Sequence, residues 1–300
     1  MAADNKAAGA GRTETWTIGK ILKWTEQYFQ KAGLDSPRLD AEVLLSHVLK
    51  KERIFLYVHF EQPMEAAELA AYRECIKKRV QRQPVAYITG HKEFMGLDFK
   101  VTEATLIPRP DTEILVEAVL QRLKPGCTDS LIADIGTGTG AICLSLLKYL
   151  PQLRAVTVDV SQAALAVAEE NAAALGLSDR LELLQGDLLQ PLRSGTQRFN
   201  AIVSNPPYIP RAEIAGLEED VRSFEPMGAL DGGEDGLDFY RRLLAEGAEL
   251  LAPEGFLALE AGIHQAQQLK SMAAELPQWG KCEIIRDLAG IERVAVLWKV

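Results

Sequence analysis

Three hundred residues, 47% hydrophobic and 25% charged, make an ordinary folded composition and enough chain for about two domains. A formal net charge of −9 argues against a protein that wraps nucleic acid, whose affinity comes from neutralising phosphates with a basic face. The four cysteines, Cys75, Cys127, Cys143 and Cys282, form no CxxC pair, which speaks against a structural zinc site and a secreted disulfide framework. No run of about 18 apolar residues is present to span a membrane.

Residues 1–14 carry Asp4 and Glu14 and no apolar stretch. They read as a flexible tail rather than a signal peptide, and a cytoplasmic protein is expected. Residues 15–90 show helical periodicity alone. Ile18, Leu22, Thr25 and Phe29 recur at near-helical spacing, and Ala41, Leu44, Leu45, Val48 and Leu49 form a second stripe. A third stretch at 65–81 lies between the breakers Pro63 and Pro84. These predict a small all-helical domain. Residues 91–110 turn β-compatible at Phe94, Leu97, Phe99, Val101, Leu106 and Ile107 before IPRP, which predicts a hairpin linker. Asp111 is placed as the N-cap of the next helix, with Ile114, Leu115, Ala118 and Val119 on one apolar face.

Over 111–300 strands and helices alternate. Strands are expected at 131–135, 155–159, 181–185, 199–204, 255–260, 282–287 and 293–300. Helices are expected after the first two, the second capped by Ser161 and ending near Gly176. Such alternation implies an α/β domain with a mostly parallel sheet and helices on both faces.

The chemistry-bearing residues fall where these strands end. DIGTGTGA places Gly136, Thr137, Gly138, Thr139 and Gly140 between a strand and a helix, where the backbone can approach a ligand beside a positive helix end. Asp159 closes the next strand, placed to accept from both hydroxyls of an adenosine ribose. The glycine pattern alone would also suit a dinucleotide dehydrogenase. Asp187 follows the third strand and is either an acceptor for an adenine amino group or a strand-end cap. Asn205, Pro206, Pro207 and Tyr208 follow the fourth strand. The Asn205 side-chain oxygen and the Pro206 carbonyl can both accept from one planar –NH2 group, on a backbone stiffened by two prolines. Tyr208 offers a flat surface beside it. An amide nitrogen is a poor nucleophile because its lone pair is delocalised, so accepting both its hydrogens favours attack on a sulfonium methyl. Positioning and electrostatics then carry the catalysis, with no metal-ligand cluster in view.

With FMGLDF at 94–99, IPRPDTE at 107–113, SNPPYI at 204–209, EPMGALDGGEDGL at 225–237 and DLAGIERV at 287–294, the chain resembles the HemK/PrmC family over nearly its whole length after the tail. The resemblance implies a Rossmann-like class I methyltransferase sheet with its last strand antiparallel, over 111–300. A helical substrate-recognition domain would precede it. It further implies S-adenosylmethionine as methyl donor and, as substrate, the Gly-Gly-Gln glutamine of class 1 peptide chain release factors, methylated on N5. Nothing in the sequence demands more than a monomer. By position Gly136, Thr137, Gly138, Thr139, Gly140, Asp159, Asp187, Leu188 and Asn205 would meet the cofactor. Asn205, Pro206, Pro207 and Tyr208 would meet the glutamine, with Asn205, Pro206 and Tyr208 catalytic. Leu188 falls where some members carry an aromatic residue. Arg109 and Thr112 have no assigned chemistry beyond loop support for Arg109. His47, His59, His91 and His264 read as surface or packing residues, and the acids of 218–238 as a solvated lid. The competing readings are an N6-adenine or other nucleic-acid amino methyltransferase, a dinucleotide oxidoreductase and a non-catalytic binding module.

Overall fold

The computed structural model describes residues 15–123 and 130–300, so the tail expected at 1–14 and Cys127 lie outside the described residues. The chain divides into two units between Thr89 and Gly90.

The first unit is helical, with α1 (Ile18–Lys31), α2 (Pro37–Leu49), α3 (Arg53–Val58), α4 (Ala66–Val80) and α5 (Val85–Thr89). Local chemistry sets the ends. The Thr17 hydroxyl accepts from the Lys20 amide to start α1, and Pro37 opens α2, where a missing N–H costs nothing. Glu65 and Glu68 exchange side-chain and backbone bonds in a capping box at the start of α4. Leu22 and Phe29 of α1, Leu44 and Leu45 of α2, Leu56 of α3 and Tyr72 of α4 are fully buried in one core. Each such side chain contributes about 1.5–3 kcal/mol of transfer free energy. Inside this unit Arg79 Nε donates to Asp40 Oδ2 at 2.7 Å, with the two side chains 7% and 10% exposed. The short helices α3 and α5 were not separately resolved by periodicity, because a helix of five or six residues offers too little repeat to detect.

The second unit opens with an antiparallel hairpin, β1 (His91–Phe94) and β2 (Leu97–Lys100), followed by α6 (Pro110–Arg122). Phe94 and Phe99 of the hairpin enter this unit's core. The N-cap of α6 is Arg109 rather than Asp111. Pro110 takes the first helical position, which moves the start two residues earlier and puts Asp111 inside the first turn, paired with Arg293 at 2.8 Å. Then come β3 (Leu131–Ile135), α7 (Ala141–Tyr149), β4 (Arg154–Asp159), α8 (Gln162–Leu175), β5 (Leu181–Gln185) and β6 (Phe199–Ser204). The unit ends with α9 (Glu219–Phe224), α10 (Asp238–Leu250), β7 (Leu251–Glu260), α11 (Ala266–Ala274), β8 (Trp279–Arg286) and β9 (Glu292–Lys299). Ser161 caps α8 by accepting from the Ala164 amide, and Gly176 closes it in the left-handed region, both as expected.

The seven strands lie in the order β5-β4-β3-β6-β7-β9-β8. Strands β3 to β7 pair in parallel, and β9 runs antiparallel between β7 and β8. This is the class I methyltransferase sheet with its last strand reversed. Alternate residues of a central strand serve opposite faces. Ala201 and Val203 of β6 pack with Leu115 of α6 and Leu144 of α7, while Ile202 packs with Leu243 of α10 and Leu269 of α11. Burial on both faces is why such strands read as unbroken apolar runs. Among the described residues no helix is long and apolar enough to cross a membrane.

Candidate active site at the carboxyl rim of the sheet

Parallel pairing decides where the site lies. Ile135 stands opposite Val158 and Ser204, and Asp159 opposite Gln185. The residues that follow β3, β4, β5 and β6 therefore emerge on one rim, the rim at which open α/β sheets bind ligands. A cleft of about 250 Å³ opens there. Gly136, Thr137, Gly138 and Thr139 line it, together with Asp159, Asp187 and Leu188 from the neighbouring strand ends. Asn205 and Pro207 line it as well. Gly140, Pro206 and Tyr208 are not among its lining residues. Gly140 serves as N-cap of α7, where a Cβ would lie 2.9 Å from Leu144 Cδ1.

Gly136, Gly138 and Gly140 all take positive φ, at 83°, 54° and 78°. At Gly138 a Cβ would meet nothing within 4 Å, so the glycine is required there by backbone conformation and faces open space. Asp159 holds the loop in place: Oδ2 accepts from the Gly138 amide and Oδ1 from the Ser161 amide, each at 2.9 Å. Each oxygen keeps a second lone pair for a ligand. Asp187 is bound by Arg242 of α10 at 2.6 Å. Leu188 is one of few non-glycine residues with positive φ, at 49°.

Asn205 begins the next segment. Its Nδ2 donates to Thr112 Oγ1 at 3.1 Å. The backbone beyond it is tied to residues 230–233. Ile209 N–H donates to the Leu230 carbonyl, Gly232 N–H to the Ile209 carbonyl and Arg211 N–H to the Gly233 carbonyl, at 3.1, 2.9 and 2.8 Å. Gln265 Nε2 donates to the Tyr208 carbonyl at 2.9 Å. Gly236 has φ +76°, and a Cβ there would fall 2.4 Å from the Tyr208 oxygen, so only glycine lets the two backbones approach. Burial pushes the Tyr208 phenol up to about 12, with the Glu260 charge adding to the effect. It stays neutral at any physiological pH.

Residues 20–90 match a family model described as the PrmC N-terminal domain, and residues 110–217 one described as the methyltransferase small domain. The release factor glutamine methyltransferase of Moorella thermoacetica is 50% identical over 283 residues, covering 94% of this chain and 99% of that one. The chain belongs to the release factor glutamine methyltransferase family. The Geobacter sulfurreducens member is 44% identical over 283 residues, with 94% and 97% covered. A solved methyltransferase from Pyrococcus furiosus shares the fold, at 18% identity and a TM-score of 0.51 over 68% of this chain and 89% of that one.

In this member of the family the stretches that carry the resemblance are joined by contacts that spacing does not reveal. Arg109 pairs with Glu225, whose side chain is 1% exposed, and Glu225 Oε2 also accepts from the Ile107 amide at 3.3 Å. The reading of 218–238 as solvated acids is thus corrected at Glu225, a buried clasp between IPRPDTE and EPMG. Asp231 and Asp235 pair with Arg211 and Arg241 at the surface. Thr112 and Phe239 line the cleft without having been singled out as ligand contacts. Phe239 sits just after the glycine-rich 232–236, on a helix whose start no cap residue announces. Among the described residues no group of three or more His, Cys, Asp or Glu is arranged to hold a metal.

Two carboxyls lie buried beneath the rim. Asp134 is fully buried with no hydrogen-bond partner on either oxygen, and burial pushes it up to about 7 from 3.8, helped by the Asp159 charge. Burial likewise pushes Glu260 up to about 7 from 4.5. Between about pH 4 and 7 the folded chain thus keeps protons that the unfolded chain releases, so stability falls as pH rises through that window. Urea midpoints should drop from about pH 5 to pH 8, and Asp134→Asn should shrink the drop. An unchanged pH slope in that variant would show that Asp134 is ionised throughout.

Proposed function

We propose that this chain transfers a methyl group from S-adenosylmethionine to N5 of the glutamine in the Gly-Gly-Gln motif of class 1 peptide chain release factors. The observation that carries this reading is the Asn205 amide, fixed by Thr112 on the same cleft as the glycine loop. Family membership supports it.

The cleft suits an adenosyl ligand. Open space faces Gly138, Asp159 offers lone pairs for ribose hydroxyls, and Leu106, Ile142 and Leu188 give apolar walls. S-adenosylmethionine, when bound, supplies an electrophilic methyl on sulfonium sulfur. This chain's residues do the rest. Asn205 Oδ1 and the Pro206 carbonyl accept the two hydrogens of the substrate –NH2, which fixes the amide plane and raises electron density on nitrogen; once the nitrogen carries the methyl, one of these two hydrogens leaves as a proton to solvent. Pro206 and Pro207 keep the acceptors stiff, so the nitrogen would be held in an aligned approach to a methyl donor bound in the cleft. Tyr208 excludes water as a neutral phenol. Asp187 and Leu188, which line the cleft, would flank the adenine of a bound cofactor.

The helical unit, expected over 15–90, serves release-factor recognition in this reading. Trp24 and Tyr28, 44% and 42% exposed and stacked at 5.1 Å, offer an aromatic surface for it. The protein acts as a cytoplasmic monomer. A net charge of −9 favours a protein over a nucleic-acid substrate.

Mass spectrometry of an unmethylated release factor after incubation with the protein and S-adenosylmethionine tests the proposal. One methyl on the Gly-Gly-Gln glutamine is expected. Cofactor binding without methylation would overturn the substrate. Asp159→Ala should weaken cofactor binding roughly 10–100-fold, the worth of hydrogen bonds to a charged acceptor, and leave release-factor affinity unchanged. Unaltered cofactor titration in that variant would remove Asp159 from the ribose site.

A further inference from the structure

The turn after β5 is tied to α10 by an ion pair that the mechanism above leaves unused. Arg242 Nη2 donates to Asp187 Oδ2 at 2.6 Å, with the two side chains 39% and 46% exposed. A second pair joins the same two segments, Arg193 to Glu246 at 3.3 Å. Glu246, one turn beyond Arg242 on α10, is thus engaged elsewhere. Phe239, three residues before Arg242, lines the cleft, and side chains so spaced share a helix face. Arg242 therefore reaches Asp187 from the side of α10 that walls the cleft.

The backbone under Asp187 is fixed independently. Gly186 N–H donates to the Asp159 carbonyl at 3.0 Å, and Gln190 N–H to the Asp187 carbonyl at 3.1 Å. A Cβ on Gly186 would fall 2.2 Å from Pro191 Cγ, so the turn closes against its own proline. Leu188 lies in the left-handed region at φ 49°, a conformation that leucine keeps only where its surroundings impose it. The turn does not settle the carboxylate, because an aspartate on a fixed backbone still has staggered alternatives about χ1. Arg242 selects one of them and engages Oδ2, which leaves Oδ1 for a ligand.

Asp159, the ribose acceptor in the reading above, stands opposite Gln185 on the neighbouring strand. Neighbouring strands lie roughly 4.8 Å apart, so a base carried by that ribose is within reach of the turn after β5. A carboxylate only accepts hydrogen bonds. It suits the amino group at position 6 of adenine and gains nothing from a purine without that donor.

We infer that Arg242 is a positioning residue that sets cofactor specificity, holding the Asp187 carboxylate in the orientation that selects a 6-aminopurine. This rests on the reading of the cleft as a site for S-adenosylmethionine. Two effects of the guanidinium oppose each other. Its charge weakens the carboxylate as an acceptor, while its bond removes rotational freedom that ligand binding would otherwise have to quench. At a half-exposed pair the charge effect is small, so orientation prevails.

Calorimetric titration of two ligands tests the inference: S-adenosylhomocysteine, and the same molecule with hydrogen in place of the purine 6-amino group. The wild type should prefer the amino ligand by roughly 10-fold or more, as for hydrogen bonds to a charged acceptor. Arg242→Met should narrow that preference about 3–10-fold, the effect of one freed side chain, by weakening the amino ligand alone. Affinity for the desamino ligand and the melting temperature should stay near wild type. In an Asp187→Ala background, which has lost the acceptor, Arg242→Met should change neither affinity. No preference in the wild type, an equal loss of both ligands in Arg242→Met, or a preference that widens there would overturn the inference. Failure to bind either ligand would refute the cofactor reading and this role with it, whereas binding without preference refutes the role alone. None of these titrations uses a release factor. A chain that methylates no release factor yet shows the expected ratios refutes the substrate reading and leaves the role of Arg242 standing.

Discussion

Asn205→Ala is expected to lower kcat roughly 10²–10³-fold, the usual cost of removing one preorganised polar group from the reacting centre. The side chain has two separate connections, Nδ2 to Thr112 and, in the proposed mechanism, Oδ1 to the substrate amide. Alanine removes both and leaves the Pro206 carbonyl as the one remaining acceptor, so the –NH2 group can rotate away from the aligned approach. The glycine loop and Asp159 are untouched, held by the 2.9 Å bond from Gly138. Cofactor affinity should therefore fall far less than turnover. Steady-state kinetics with a purified release factor, beside calorimetric titration of the cofactor, separates the two. Turnover equal to wild type would refute the assignment of Asn205.

Asp40→Ala should destabilise the protein by about 3–5 kcal/mol, the usual cost of removing one partner of a buried ion pair. Arg79 stays behind with a side chain 7% exposed. A hydrogen bond from its Nη1 to the Gln83 carbonyl at 3.3 Å is to a neutral acceptor and does not replace the carboxylate's charge. The effect is large because α2 and α4 meet at this pair, in a unit of five short helices with a single core. Denaturant unfolding monitored by helical circular dichroism measures it. A loss below about 1 kcal/mol would mean that water reaches the guanidinium.

Most of the scaffold was legible because its signals are local. The strands at Leu131–Ile135, Leu181–Gln185 and Phe199–Ser204 are short apolar runs bounded by polar residues or glycine, and they occupy the expected positions. Ser161 and Gly176 cap α8 through contacts with near neighbours in sequence. What escaped depends on residues far apart in the chain. Glu225 looks like any lid acid until it is seen clasping Ile107, 118 positions away. Thr112 reads as a helix-start residue until the fold sets it against Asn205, 93 positions on. Glu260 ends a strand as acids often do, and its burial follows from packing that no window of sequence reports. At Arg109 the proline rule for helix starts outweighed the usual preference for aspartate.

The backbone around Tyr208, laced to residues 230–233 and pressed against Gly236, has a consequence for entropy. A loop that must order itself around an incoming peptide loses conformational freedom during binding, at about 1–2 kcal/mol per residue fixed. Here the segment proposed to accept the substrate amide is already ordered by ladder bonds at Ile209, Arg211 and Gly232. That loss is taken when the chain folds, and only the mobile substrate segment has to be quenched on encounter. The backbone amides of Ile209, Arg211 and Gly232 should accordingly exchange with solvent as slowly as those of a sheet, although the segment carries hardly any regular strand.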